Sequence, residues 1–575
     1  MFASDGLHKR LLGHAAFLYG EKAGECLDAI FSVLAMFEHV LPFHGERQLN
    51  LSQEDLILIC YGDMVQGEEN PLKELNSFLG KHLRGVFSFV HILPFFPFSS
   101  DDGFSVIDFF KVNPALGTWD DIGELRNNTR LMFDFVGNHI SSKSDLFIRF
   151  LQGDGEQSES FIQQIPGADY SCVLRPRTSP LFTPFTRSDG DTTRVWTTFS
   201  EDQIDLNYQS LQVLRMMVHV MLWYVAHGAS ALRLDAVNYL WKLQGTRCSS
   251  LPQTHALIQL FRAILDFAAP STLLITETNV PNEENLSYLG NGSNEAQLVY
   301  QFALPPLLVH AFMTGNTTYI KAWLNTLDYN ADSTYLNFLA SHDGVGLMPV
   351  MEILPKPEID NMVDLARKRG SLVSYKSLNG LEIPYELNCT FYDLLQDPSL
   401  DESTNMDQYI SAHSLLLSLR GVPAVYFHSL FGSRNAHSEY VASGKKRAVN
   451  RKRFDRNLID SLLENHDARE TQLFKRLLAL IDVRKSNPAF HPQSSQTVDS
   501  VADQVLLVRR VSGCGRHQAV CAVNFSRSHQ TVELPENLIY TLLSSTSGVH
   551  MEASRADIPA YGYGWIGVRS DHEAE

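Results

Sequence analysis

The 575-residue chain carries a formal net charge of −18 and is 44% hydrophobic and 19% charged. That length admits a large core with appended modules, and that composition belongs to an ordinary globular protein. The acidic balance disfavours nucleic acid as a partner; no apolar run is long enough to span a bilayer, and Met1 to Lys22 show no signal-peptide pattern, so a cytoplasmic location is expected.

Residues 1–53 read as a helical extension, with Leu27, Ile30, Leu34, Phe37 and Leu41 at helical spacing. From 54 to 490, short apolar runs alternate with amphipathic stretches, the βα signature of a parallel sheet. The predicted strands are Leu56–Tyr61, Phe87–Leu93, Leu131–Val136, Ala231–Leu234, Leu273–Thr276, Leu298–Phe302, Tyr335–Leu339 and Ala424–Phe427. Eight such runs, several ending in polar residues, predict an α/β fold: a closed (β/α)8 TIM barrel with its active site at the carboxyl ends of the strands. Two stretches break the rhythm, about 141–202 and about 372–407, and are predicted to be inserted loop subdomains over the barrel mouth. Residues 491–575 turn to β pattern, with Gln504–Val511 and Ala519–Phe525 as strands of a small terminal domain. Seven cysteines stand singly at 26, 60, 172, 248, 389, 514 and 521, without CxxC pairs. This pattern argues against a disulfide framework or structural zinc and predicts buried free thiols.

Four segments carry chemistry. Leu232-Arg233-Leu234-Asp235-Ala236-Val237 sets an arginine and an aspartate on one side of a strand end, inside an apolar run. Burying charge there is costly, so a functional reading competes with a plain structural ion pair. Arg233 beside Asp235 is expected to hold that carboxyl ionised, as a covalent nucleophile requires. Ile275-Thr276-Glu277-Thr278-Asn279 again ends an apolar run in a carboxylate. Phe133-Asp134-Phe135-Val136-Gly137-Asn138-His139 and Ala340-Ser341-His342-Asp343-Gly344 complete the set, two of the four having a histidine nearby. Four carboxylates at four separate strand ends make coincidence a poor account.

In their order along the chain these segments resemble the four signature regions of the α-amylase superfamily, glycoside hydrolase family thirteen, and the resemblance runs from about Leu56 to the C-terminal β module. It implies Asp235 as nucleophile, Glu277 as general acid/base and Asp343 as transition-state stabiliser. Arg233, His139 and His342 would then grip the glucose ring, with Asp134 and Asn138 serving structurally or toward calcium. Retaining chemistry requires two carboxyls about 5–5.5 Å apart across one anomeric carbon, which adjacent barrel strands can supply. Glu277 must then start protonated and Asp235 ionised.

Finer matches are similar to the sucrose-phosphorylase branch: His91-Ile92-Leu93-Pro94-Phe95-Phe96-Pro97 followed by Ser100-Asp101-Asp102-Gly103-Phe104, the run from Arg233 through Lys242 to Gly245-Thr246-Arg247-Cys248, and Val449-Asn450-Arg451. The branch implies that Asp101 and Arg451 hold the far side of glucose and that Phe104 stacks on it. Leu174-Arg175-Pro176-Arg177 resembles the branch's R-P-R loop and makes Arg177 the expected phosphate ligand, a local cation set against the −18 balance. Where sucrose phosphorylases carry Y-Q-x-N, this chain has Tyr385-Glu386-Leu387-Asn388, with Tyr385 and Asn388 expected at the acceptor. That stretch and Thr276-Glu277-Thr278-Asn279-Val280-Pro281 look closer to glucosylglycerate and glucosylglycerol phosphorylases, and Glu386 would repel a glycerate carboxylate if it faced one.

The expected function is transfer of glucose, with retention, from a small α-glucoside to inorganic phosphate. The expected partners are those two small molecules, with no nucleic acid, membrane, metal or organic cofactor implied. Alternatives are a sucrose or sucrose 6-phosphate phosphorylase, a glucosidase or transglucosylase using the same carboxylates, and a catalytically inactive carbohydrate-binding relative. The last commonly lacks one of the three carboxylates, and all three are present here.

Overall fold

A computed structural model describes residues 5–43, 50–328, 330–378, 381–536 and 538–570. Each of the eight predicted runs overlaps a strand: β1 (Ile57–Cys60), β2 (Phe89–Ile92), β3 (Arg130–Phe135), β4 (Ala229–Leu234), β5 (Leu273–Thr276), β6 (Leu298–Tyr300), β7 (Thr334–Phe338) and β8 (Val422–Tyr426). Every strand pairs in parallel with its neighbours in sequence, and β8 closes on β1 to give a barrel. Barrel strands bury both faces, one against the interior and one against helices, which is why they read as unbroken apolar runs. β8 begins two residues before the predicted run and includes Pro423, placed near the strand start, where a missing N–H costs least.

The N-terminal segment forms helices α1 (Asp5–Tyr19) and α2 (Ala23–Met36). Both lie on the outside of the barrel, α1 against helix Pro252–Ala268 and α2 against helix Leu211–Ala226. Leu27, Ile30, Leu34, Phe37 and Leu41 are all buried in that contact layer, and Arg10 bonds to Asp266 at 2.9 Å. Residues 44–49, within the expected extension, lie outside the described residues.

Two excursions rise over the carboxyl ends of the strands. The first starts where His139–Ser141 pairs antiparallel with Gln203–Asp205, a two-stranded clasp at its base. It carries a hairpin, Phe182–Thr186 with Thr192–Trp196, packed through Phe182 and Trp196 on Cys248. The second is a hairpin, Leu372–Leu378 with Leu381–Asn388, that also pairs with Val345–Gly346 just beyond β7. The predicted end of this insertion, at 407, falls inside helix Glu402–Ser418, which leads into β8. That helix is buried almost throughout from Asn405 to Ser418, so it packs as one barrel helix across position 407.

After helix Arg469–Ser486 the chain forms a five-stranded antiparallel sheet and a three-stranded one. Trp565 of the larger sheet is fully buried against Phe490 at 4.6 Å. No described helix is long and apolar enough to cross a membrane. All seven cysteines are free; five are buried as expected, but Cys172 and Cys514, both in turns, are exposed.

Candidate active site

The strand ends and both excursions enclose a cavity of about 570 Å³, counting its open mouth. Asp235, Glu277 and Asp343 line it, from the ends of β4, β5 and β7. Register explains the charge network beneath them. β3 and β4 align Asp134 directly beside Arg233, and their side chains form a buried ion pair. Arg233 also bonds to Asp235 at 2.8 Å and lies 3.7 Å from Glu277. Its guanidinium is sandwiched 5.6 Å from the rings of Phe104 and Tyr300. Arg233 therefore sits under the cavity floor and does not line the cavity; it orients the carboxylates from below.

Burial raises the pKa of both Asp235 and Glu277, and Arg233 opposes the rise at each. This corrects the expectation that Arg233 alone keeps Asp235 low. Much of the guanidinium's charge is spent on Asp134, and the desolvated neighbouring carboxyls repel one another, so they titrate as a unit. Asp343 behaves differently. Burial would raise it, but Arg447, Arg451 and Arg233 together hold it below the ordinary value. Ala236 adopts a left-handed backbone, φ 48°, that turns its N–H onto Glu277 Oε2 at 3.0 Å. Strain in a non-glycine residue beside a carboxylate pair is the kind kept at functional positions.

One wall is the loop between Ser99 and Ser105. It puts Asp101 and Phe104 into the cavity through two successive left-handed residues, Asp101 (φ 52°) and Asp102 (φ 50°), then Gly103 (φ 112°). A Cβ at Gly103 would fall 2.5 Å from the Pro94 carbonyl, so only glycine passes there. The Asp202 carboxylate clamps this loop. It accepts Ser99 and Ser100 hydroxyls at 2.5 Å, Ser105 at 2.9 Å and, on its other oxygen, Ser142 at 2.5 Å. Phe104 stacks on His342 at 4.8 Å and 8°. Burial first, then Arg451 and Arg233, push His342 well below its usual pKa, so it is neutral. His139 lines the same wall, with Nε2 2.9 Å from the Phe104 carbonyl.

Arg451 does not line the cavity. It binds Asp102 at 2.8 Å, is 3.8 Å from Asp101, and donates to the His342 carbonyl at 2.9 Å, so it braces two walls from behind. Asn450 donates to the carbonyl of Asp343 at 2.9 Å. Asn138 is also behind the wall. Lys242 donates to it at 2.7 Å and pairs with Asp205 at 2.7 Å, so an ammonium joins these two side chains at the base of the first excursion.

The open side is built by the excursions. Arg177 lines it, with Tyr385 5.5 Å and Phe199 5.9 Å from its guanidinium carbon. Glu386 lines it as well, but Arg447 grips it at 2.6 Å while reaching Asp343 at 2.5 Å. The worry that Glu386 would repel an anionic acceptor is thereby reduced, because its charge is already matched. Asn388 lies outside the cavity wall: it donates to Glu386 and accepts Ser374 Oγ at 2.7 Å. Two residues along an extended strand carry it about 6–7 Å further from the mouth, on the same face. Arg447 was not singled out from sequence. Its only local signal is the spacing of four from Arg451, and its partners lie 61 and more residues away.

Residues 85–350 match the family described as alpha amylase, catalytic domain. A glucosylglycerate phosphorylase of Spirochaeta thermophila is 42% identical over 533 residues, 92% of this chain and 90% of that protein. A glucosylglycerol phosphorylase of Marinobacter adhaerens is 33% identical over 446 residues, 75% of this chain and 87% of that protein. Among solved structures, a sucrose 6F-phosphate phosphorylase from Thermoanaerobacter thermosaccharolyticum aligns with a TM-score of 0.71 at 25% identity, covering 82% of this chain and 94% of that one.

Proposed function

The chain belongs to the α-amylase superfamily, glycoside hydrolase family thirteen, on its sucrose-phosphorylase branch, and on that premise we propose that it is a retaining phosphorylase of a glucosylglycerate-type α-glucoside. The observation that carries this reading is Arg177. It faces the same cavity as the three carboxylates, and among the described residues no carboxylate lies within ion-pair distance of it. Hydrolysis does not require such a cation, whereas an attacking phosphate does. Greater identity to the glucosylglycerate enzyme than to the glucosylglycerol enzyme favours a carboxylate-bearing acceptor.

In the reaction, Asp235 attacks the anomeric carbon as Glu277 gives its proton to the departing glycosidic oxygen. The bond to the acceptor breaks and a covalent β-glucosyl ester forms on Asp235. The direct Arg233 bond to Asp235, shorter than its approach to Glu277, favours leaving the pair's shared proton on Glu277. Phosphate then enters beside Arg177. Glu277, now a carboxylate, takes the phosphate proton, a phosphate oxygen attacks the same carbon, and the Asp235 ester breaks to release α-glucose 1-phosphate. Asp343, held ionised by Arg447 and Arg451, stabilises the cationic ring in both transition states. Phe104, Asp101, His139 and His342 form the glucose wall, with Arg233 and Arg451 as their braces and Asn388 as the brace of Glu386. The activity belongs to soluble small molecules, an α-glucoside and inorganic phosphate, and a cytoplasmic setting suits both.

Incubation with phosphate and, separately, glucosylglycerate, glucosylglycerol, sucrose and sucrose 6-phosphate tests this directly. Glucose 1-phosphate should appear fastest from glucosylglycerate. Its absence with all four would refute phosphorolysis, and its appearance chiefly from sucrose would reassign the substrate.

A further inference from the structure

Arg177 has a cationic neighbour across the Tyr385 ring, just outside the cavity wall. Lys376, on the hairpin strand Leu372–Leu378, is only 4% exposed, and its ammonium lies 5.9 Å from the centroid of the Tyr385 ring. Arg177 lies 5.5 Å from that same ring, which lines the cavity. Two cations thus meet one cavity-lining aromatic side chain, Arg177 on the wall and Lys376 just outside it. The other basic groups around the carboxylates are matched: Arg233 by Asp134 and Asp235, Arg447 by Asp343 and Glu386, Arg451 by Asp102.

Lys376 has no carboxylate within ion-pair distance among the described residues. The charges that reach it are Arg247, which repels it, and Glu284, which is itself held by Ser250 at 2.5 Å and faces Arg247 at 4.0 Å. An unmatched ammonium on a mostly buried side chain is costly, and burial with Arg247 pushes Lys376 down to about 8. An incoming anion would remove that cost, so the position is prepared for one.

The proposed reaction makes a particular demand on this place. One subsite must hold the carboxylate of the leaving hydroxy acid and then the incoming phosphate, two anions in turn. We propose that Lys376, together with Arg177 around Tyr385, forms the anion-binding half of the acceptor subsite and that Lys376 is the residue that selects a carboxylate-bearing acceptor over its uncharged counterpart. The inference rests on the glucosylglycerate reading above and adds to it the residue that sets acceptor charge.

The test uses the full chain in the synthetic direction, with α-glucose 1-phosphate as donor and D-glycerate or glycerol as acceptor. The ratio of kcat/KM for D-glycerate to that for glycerol is the readout, since it is internal to each protein and independent of the folded fraction. Lys376→Met should lower this ratio by roughly 10- to 100-fold, the loss of one unmatched cation beside the subsite, and Lys376→Arg should restore most of it. Lys376→Gln gives the same reading if the methionine variant folds poorly. A wild-type preference for D-glycerate with an unchanged ratio in Lys376→Met and Lys376→Gln would overturn this inference alone. Wild-type transfer to fructose but not to D-glycerate would overturn the substrate reading and this inference with it.

Discussion

Replacing Asp202 by alanine should damage glucose binding, although Asp202 does not line the cavity. Its carboxylate receives four serine hydroxyls, three of them from the loop that delivers Asp101 and Phe104. That loop holds two non-glycine residues in the left-handed region, each costing on the order of 1 kcal/mol, so it keeps its shape only while something restrains it. A hydrogen bond to a charged group is worth about 1.5–3 kcal/mol net, and water at this half-buried site would replace much of what four such bonds supply. About 3 kcal/mol of lost restraint remains, or roughly a hundredfold in kcat/KM for the glucoside. Burial would raise Asp202, but the hydroxyls hold it below the usual carboxylate value. A lowered carboxylate contributes fully above its unfolded pKa near 3.9 and loses that contribution only as pH falls through the lower folded value; the defect should therefore be constant from about pH 5 to 8. Steady-state kinetics with glucoside and phosphate varied separately should place the loss on the glucoside, with the phosphate KM changed little. A folded Asp202→Ala protein with glucoside kcat/KM within about threefold of wild type would show that the clamp is decorative.

Arg177→Ala should lower the ratio of phosphorolysis to slow hydrolysis by at least roughly a hundredfold, because a bidentate cation–phosphate contact is lost while water needs none; equal loss of both activities would remove Arg177 from its role. The pH profile of kcat/KM for the glucoside should be a bell set by the Asp235/Glu277 pair. It should fall toward acid as the pair takes a second proton and the nucleophile is lost, and toward alkali as the last proton leaves and the acid is lost. Since burial raises both groups, the acid limb should lie above the ordinary carboxylate range, and Glu277→Gln should abolish the alkaline limb; an acid limb at an unshifted carboxylate value would contradict the burial account.

Several features were legible in the chain because they depend on neighbours close in sequence. The barrel strands announce themselves as apolar runs, since a strand buried on both faces leaves no alternation to obscure it. Asp235, Glu277 and Asp343 stand out because a carboxylate ending such a run is expensive unless it has work to do. Leu27, Ile30 and Leu34 declare a buried helix face by spacing alone, whereas Phe37 and Leu41 are buried past the helix end at Met36. Asn388 was misplaced for a related reason. Period two puts it on the same face as Glu386, but only the hairpin's orientation sets how far along that face the cavity extends.

Other features came from contacts between distant segments. Arg447 finds Asp343 and Glu386, Asp202 gathers serines from 60 to 103 positions away, and Lys376 meets Tyr385 across a hairpin turn. Local pattern carries none of this, because a charged residue in a loop looks alike whether it is solvated, paired or waiting for an anion. The proton balance of the central pair belongs to the same class. The two-residue spacing of Arg233 and Asp235 predicted an ionised aspartate, but Asp134 on the neighbouring strand draws on the same guanidinium. Sequence by itself determined the barrel and the four polar strand ends, because hydrophobic periodicity and the cost of burying charge are local quantities. Tertiary structure alone decided which charges are matched and which are left facing the acceptor, because a Coulomb interaction depends on distance in space and not on distance along the chain.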